Sequence, residues 1–235
     1  MELKANLHFH TRDDPRDAIC YTLQEGVERA KNLGFEVLAL TCHQKFVNVP
    51  EYYDYAASRN ILLIPGVERN IEKRHVVILN PDKDVEGVST FRELKDYKKS
   101  RPEIFVLAPH PYFYGGFSLK EKLTEHIELF DAVEHSWFYS RAFNRNKKGE
   151  AAAEEHSLPF IATSDTHALE LLDVSYSVIE AKEKTIPAIF EAIKNKNFTN
   201  VTSPRKFLKE MVWEEGCRQI KSYCNRIAKR CDISS

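Results

Sequence analysis

The sequence predicts an α/β fold, a parallel sheet wound into a closed or nearly closed barrel and followed by a helical C-terminal extension. Three observations predict it. Apolar runs of strand length alternate with segments of helical period about seven times along the chain. The length of 235 residues suits one such domain. Nearly every strand-like run also ends on an imidazole or a carboxylate, where a parallel barrel gathers its active site.

The elements follow in order. ANLHFH alternates polar and apolar residues as a strand does, and residues 17–33 carry apolar side chains at helical spacing, with Gly34 as a stop. VLALTCH is the next strand and PEYYDYAASRN a short helix. ILLIPGVE and RHVVILN are strands so close together that a direct connection is expected between them. FRELKDYKKS reads as helix, EIFVLAPH as strand, SLKEKLTEHIELF as helix and FDAVEHS as strand. RAFNRNKKGEAAAEEHS is an alanine-rich helix, and LPFIATSD, VSYSVIEA and the helix IPAIFEAIKNK complete the barrel over residues 1–204.

Residues 205–235 differ, with eight Lys or Arg against four acids. Trp213, Cys217, Ile220, Cys224, Ile227 and Cys231 alternate by four and three, a two-per-seven seam expected to pack on the barrel or on a second subunit. Successive cysteines of this seam would lie about 10 Å apart on a helix, too far to share one metal. A basic face for RNA is diluted by Glu210, Glu214 and Glu215.

A net charge of −1 argues against a polyanion binder or a membrane-surface protein held by bulk charge. No apolar run approaches the ~20 residues of a membrane span. MELKANLHFH reads as a strand with ligands, not as a signal peptide, and five cysteines without a tight framework suit reduced thiols, so a cytoplasmic protein is expected.

Nine residues in six short segments form one metal-binding list. They are His8, His10, His43, Glu68, His75, His110, Asp165, His167 and an acid shortly after His10, with Asp14 foremost. In a strand, residues i and i+2 face one way, so His8 with His10, and Asp165 with His167, are natural two-ligand arms. A lone His-x-His is a weak signal; six segments repeating the same chemistry are a strong one. Such N and O ligands suit zinc, manganese or iron. A glutamate among histidines can bridge two cations, and a metal-bound hydroxide can then attack a phosphoryl group. His126 and His156, on helical segments without partners, read as structural or surface residues, while His135 stands at a strand end and is expected to line the pocket.

LHFHT, TCH, PGVE followed by HVVIL, APHP and SDTH, in that order, resemble the PHP domain, the polymerase and histidinol phosphatase family of metal-dependent phosphoesterases. The resemblance runs from about residue 3 to residue 204. It implies a distorted (β/α)7 barrel with a trinuclear centre: His8, His10, Glu68 and Asp165 on one metal, Glu68 bridging to a second held by His75 and His110, and Asp14, His43 and His167 on the third. Glu68, Asp165 and His167 would carry the catalysis, with Asp165 or a histidine protonating the leaving oxygen. Three divalent cations would outweigh the three acids and favour a phosphate substrate. Arg12, Lys45, Arg69, Arg141 and Arg145, near strand ends, are candidates to grip it.

The chain departs from the family pattern in three places. The first acid usually stands five residues beyond the second histidine, where this chain has Pro15. Asp13, Asp14 and Asp17 therefore compete, and a one-residue shortening favours Asp14. Cys42 replaces a frequent aspartate and should face away from His43, and His135 replaces a frequent asparagine.

The expected function is hydrolysis of a phosphomonoester, a small metabolite or a nucleotide, with two or three metal ions per chain. An exonuclease or phosphodiesterase acting on nucleotides or short nucleic acid is the alternative. A non-catalytic RNA-binding subunit would be expected to lose ligands. An amidohydrolase commonly needs a carboxylated lysine, and no lysine stands at a suitable strand end.

Overall fold

The computed structural model describes residues 1–204; the C-terminal seam, with its proposed packing partner, lies outside the described residues. Seven strands make the barrel: β1 (Glu2–Phe9), β2 (Val37–Leu40), β3 (Leu62–Ile71), β4 (Arg74–Leu79), β5 (Phe105–Ala108), β6 (Ala132–His135) and β7 (Phe160–Ala162). β8 (Ser175–Glu180) and β9 (Phe198–Thr202) extend the sheet beyond β1, giving the order β7-β6-β5-β4-β3-β2-β1-β8-β9. Six helices accompany them: α1 (Leu23–Asn32), α2 (Pro50–Ser58), α3 (Phe91–Ser100), α4 (Glu121–Glu125), α5 (Asn146–Glu155) and α6 (Ile186–Lys194).

The sheet is not wholly parallel. β3 and β4 form a direct hairpin, as the short spacing predicts, and β4 runs antiparallel to both β3 and β5. Its turn is the pair Glu72 and Lys73, both in the left-handed region (φ 48° and 68°), which matches the twist of the flanking strands. An antiparallel strand brings its first residues to the mouth where its neighbours bring their last, so His75 at the start of β4 joins the ligands. β8 is antiparallel to β1, and β9 is a strand that its polar sequence FTNVT did not announce.

Closure is divided between the two ends of the barrel. At the mouth, Phe9 and Thr166 form a parallel bridge, with His10 N–H on Thr166 O at 3.2 Å and Thr166 N–H on His8 O at 3.1 Å. Below it, side chains stitch β7 to the β8–β9 pair: Ser177 Oγ donates to Ala162 O at 3.0 Å, and Asn200 Nδ2 donates to Phe160 O at 2.8 Å.

Strand alternation decides what faces the lumen. Leu3, Ala5, Val37, Ala39, Ile64, Val77, Leu79, Phe105, Leu107, Ala132 and Ile161 pack there in one cluster with Ile189, Phe190 and Ile193 of α6. Following that parity upward predicts inward positions for His43, Glu68, Glu134 and Asp165. β1 and β5 depart from it: on β5 the parity of Phe105 and Leu107 leads to Pro109, and His110 reaches the centre through a left-handed backbone; on β1 Leu7 and His8 are adjacent in sequence and both belong inside. The β1–β2 register shifts between Asn6 and Phe9, and this irregularity re-aims His8 and His10 inward while Phe9 turns out beneath α1.

Three helices are shorter than their periodicity predicts. Residues 17–22 are not helical: Asp14 Oδ1 draws in the amides of Arg16 and Asp17, and α1 starts only after the capping box of Thr22 and Glu25. Residues 118–130 break at His126, whose ring stacks on Phe91 at 4.1 Å, so that adjacent Leu129 and Phe130 are both buried. Residues 141–145 likewise precede α5.

Gly26 of α1 makes room for Phe9. A Cβ there would stand 2.3 Å from Phe9 Cζ, and the Phe9 ring is fully buried. Gly26→Ala should therefore lower the thermal midpoint, since about 1–3 kcal/mol of overpacking outweighs the ~1 kcal/mol gain in helix propensity. An unchanged or higher midpoint would show that the β1 end is not held by this contact.

Candidate metal centre

The expected ligands converge at the mouth of the barrel. Among the described residues, three groups bring one ligand atom each to within 4.8 Å of one another: His8, His10 and Asp165; His43, Glu68 and His75; His10, His43 and His167. Glu68 is the hub. Its Oε2 stands 2.9 Å from His43 Nε2, 3.4 Å from His8 Nε2 and 3.6 Å from His10 Nε2. Its Oε1 stands 2.7 Å from His75 Nδ1 and 3.2 Å from His110 Nε2. Asp165 Oδ1 lies 3.3 Å from both His8 Nε2 and His10 Nε2.

These spacings fit cations. Two ligands about 2.1 Å from one ion stand roughly 3.0 Å apart at a right angle and 3.4 Å apart at the tetrahedral angle. His8 Nε2, His10 Nε2, Glu68 Oε2 and Asp165 Oδ1 are buried and make no hydrogen bond, an arrangement that is costly unless something else fills the space between them. Backbone strain helps to aim two ligands: His110 (φ 29°) and Asp165 (φ 45°) are left-handed, at a cost of order 1–3 kcal/mol each. Asn6 Nδ2 restrains the Asp165 loop through Ser164 and Thr166.

Carboxylates stand behind the rings as well as among them. Glu134, fully buried, accepts from His8 Nδ1 at 2.9 Å, from the Thr163 hydroxyl and from the His110 amide. Its neighbour His135, the residue expected at the pocket, is half-buried between Tyr139 and Phe160, with Nε2 3.4 Å from Asn146 Nδ2, and alternation turns Glu134 inward instead. Asp14 takes a similar place: its Oδ2 is 2.9 Å from His10 Nδ1 and 2.9 Å from His43 Nδ1, and its Oδ1 holds two backbone amides. Both oxygens thus lie on the far side of the rings from the ligand atoms. Two other carboxylates meet His167: Asp17, with Oδ2 3.0 Å from Nε2, and Asp165, with Oδ1 3.4 Å from Nδ1.

The expected substrate contacts divide. Arg69 is a correction: it is buried, and its guanidinium is spent on the carbonyls of Gln44, Glu86 and Val88, which brace the loop after β4. Arg12, Lys45 and Arg141 are exposed. Arg145 lines a small cavity with His110, Phe138 and Asn146 and lies over Tyr114 at 3.9 Å. Arg16, which no strand end marks in the sequence, places Nη1 2.7 Å from His75 Nε2. Cys42 is buried away from the centre, as expected, and burial pushes its thiol up to about 12.

Charge is concentrated and mutually dependent. Burial alone would raise the carboxyl of Glu68, but His75, His43, His8 and His110 hold it well below its usual range. Burial likewise opposes ionisation of Asp165, and His8, His167 and His10 overrule it. In return Asp165, Glu134 and Glu68 overcome burial to raise His8 well above its ordinary value, and Glu68 and Asp14 raise His43 to about 10. His75 moves down, because burial outweighs Glu68 there. Carboxylates that favour the protonated forms of His8 and His43 make a set in which cations can take the protons' place.

A family model described as PHP domain matches residues 6–199. The DNA polymerase III PolC-type of Thermotoga maritima is 40% identical over 65 residues, which is 28% of this chain and 5% of the polymerase, and that of Thermotoga petrophila matches equally. The chain thus spans a small fraction of the curated relatives it matches. Among solved structures, a two-domain protein of Bacteroides vulgatus containing a predicted PHP-like metal-dependent phosphoesterase superposes with a TM-score of 0.67 at 18% identity, over 86% of this chain and 65% of that one. PsfC of Pseudomonas syringae gives 0.68 at 13% identity, over 93% and 98%. The lesion-specific endonuclease EndoQ of Pyrococcus furiosus gives 0.67 at 15% identity, over 87% and 60%. At these identities the likeness is one of fold.

Proposed function

The chain belongs to the PHP domain family, and from that premise we propose that it is a metal-dependent phosphoesterase acting on a phosphomonoester, a small metabolite or a nucleotide. The observation that carries the reading is the set of ligand atoms converging on Glu68 and Asp165. Bound divalent cations supply the charge that activates a water and stabilises phosphoryl oxygens.

The residues divide the work. His8, His10, Asp165 and Glu68 would hold one cation, and His75 and His110 with Glu68 would hold a second. His43 and His167 would hold a third, with Asp17 and not Asp14 as the nearby acid. Asp14 and Glu134 accept from the Nδ1 atoms of His10, His43 and His8, fixing the tautomer that turns each Nε2 toward the centre. Asp165 is 22% exposed against 1% for Glu68, so it is the carboxylate nearer the open mouth, and His8, His167 and His10 hold it well below the usual carboxylate range, which suits a ligand.

Hydrolysis of diesters is the second reading. It is favoured by the fold shared with a lesion-specific endonuclease and by the segment shared with a DNA polymerase. The test is phosphate release by manganese- or zinc-loaded protein from a panel of phosphomonoesters, alongside cleavage of bis(p-nitrophenyl) phosphate and short single-stranded DNA. His10→Ala and Asp165→Ala serve as controls. Monoester turnover that the controls abolish is the expected result; turnover of diesters alone would replace the first reading with the second. Loaded protein that turns over neither would sink both.

A further inference from the structure

Arg16 lies in the loop between β1 and α1, and its guanidinium meets His75 at the ring nitrogen opposite the one that faces Glu68. A guanidinium is always charged and can only donate, so at 2.7 Å His75 Nε2 must accept from it. The other nitrogen, Nδ1, faces Glu68 Oε1 at 2.7 Å. In this arrangement both ring nitrogens are committed, Nδ1 donating to Glu68 and Nε2 accepting from a fixed positive charge.

The backbone of Arg16 is anchored independently of the contact its side chain makes with His75. Its amide donates to Asp14 Oδ1 at 2.8 Å, and Asp14 is itself fixed by His10 and His43. The residue is otherwise exposed, and on its open side lies a cavity of about 590 Å³ lined by Arg16, Asn70, Glu72, Lys73, Ser89 and Phe117, among others. That volume lies in the range of small-ligand sites. The cavity adjoins the centre through Phe117, whose ring stacks on His75 at 4.8 Å. Its charged lining is Arg16 and Lys73 against Glu72, whose carboxylate also receives the Phe91 amide at 3.3 Å. The balance favours an anion.

We propose that Arg16 couples metal loading to phosphate binding: its guanidinium donates to His75 Nε2 while Nδ1 keeps its proton toward Glu68; a divalent ion taken up at Nδ1 would shift that proton to Nε2, expel the guanidinium, and leave Arg16 to turn into the adjoining cavity and grip the substrate's phosphoryl oxygens. The inference rests on the phosphoesterase reading for its ligand. It assigns to one side chain two roles that are opposed in sign, since Arg16 competes with the metal and assists the phosphate.

That opposition gives the test. Mn²⁺ is titrated calorimetrically into the metal-free full chain, and inorganic phosphate is then titrated into the loaded protein, for wild type and Arg16→Ala. The variant should bind Mn²⁺ roughly tenfold more tightly and phosphate roughly tenfold or more weakly, the scale of one charge-assisted hydrogen bond lost in each state. Arg16→Gln, which keeps much of the side-chain stem, should move both constants in the same directions. If Arg16 merely orients the His75 ring, Mn²⁺ binding will weaken in the variants, and that overturns the proposal. Unchanged phosphate affinity overturns it too. Loaded wild-type protein that binds no phosphate would instead fault the phosphoesterase reading.

Discussion

Glu68→Gln is expected to remove at least one bound cation per chain and to lower phosphoesterase turnover by roughly 10³-fold, the scale of several kcal/mol of lost electrostatic stabilisation. The substitution keeps the shape of the side chain and changes its chemistry. Five imidazoles now face one carboxylate, three on Oε2 and two on Oε1. An amide offers one ligating oxygen instead of two, and its NH₂ cannot bridge cations. With Glu68 gone, Asp165 is the carboxylate still facing the Nε2 atoms of His8 and His10, so the first cation should be retained more weakly while the second is lost. The check is metal content by mass spectrometry beside initial rates. A variant with full metal content and a rate within tenfold of wild type would show that Glu68 is not the hub its position implies.

Much of this centre is legible in the sequence because ligand chemistry and strand period coincide. A polar residue that ends an apolar run, as His43 and Glu68 do, cannot be core and must stand at the rim of the sheet. The same reading passes over Glu134, because AVEH offers two polar residues in succession and only the barrel's parity says which one turns inward. Nor does it separate Asp14 from Asp17, since what divides them is a turn. Asp14 captures the amides of Arg16 and Asp17 and so commits itself to the rear of the rings. β9 is invisible for a different reason. Its strand character comes from pairing with β8, and Asn200 completes closure by bonding to β7, a contact 40 residues distant in the chain. The start of α1 is encoded at Thr22 and Glu25, but apolar residues at 18–20 extend the helical pattern past that cap.

Glu134→Gln should weaken metal binding by roughly 10–100-fold although Glu134 faces none of the cation positions. The carboxylate receives three donors: the His8 ring and the Thr163 hydroxyl on Oε1, and the His110 amide on Oε2. A glutamine can orient its carbonyl toward only one side. If it keeps His8 and Thr163, its NH₂ confronts the His110 N–H, in a residue whose backbone is already left-handed. If it keeps His110, its NH₂ confronts His8 Nδ1, which can then accept only by moving its proton to Nε2, the nitrogen required by the metal. Either orientation leaves a ligand misdirected and a buried donor without an acceptor, at about 1–3 kcal/mol. The expected signature is a larger metal dissociation constant, with turnover partly recovered at high metal concentration, unlike the loss at Glu68. Wild-type metal affinity in Glu134→Gln would mean that the β1 irregularity and the Phe9–Thr166 bridge suffice to aim His8, and that Glu134 only fills the space behind it.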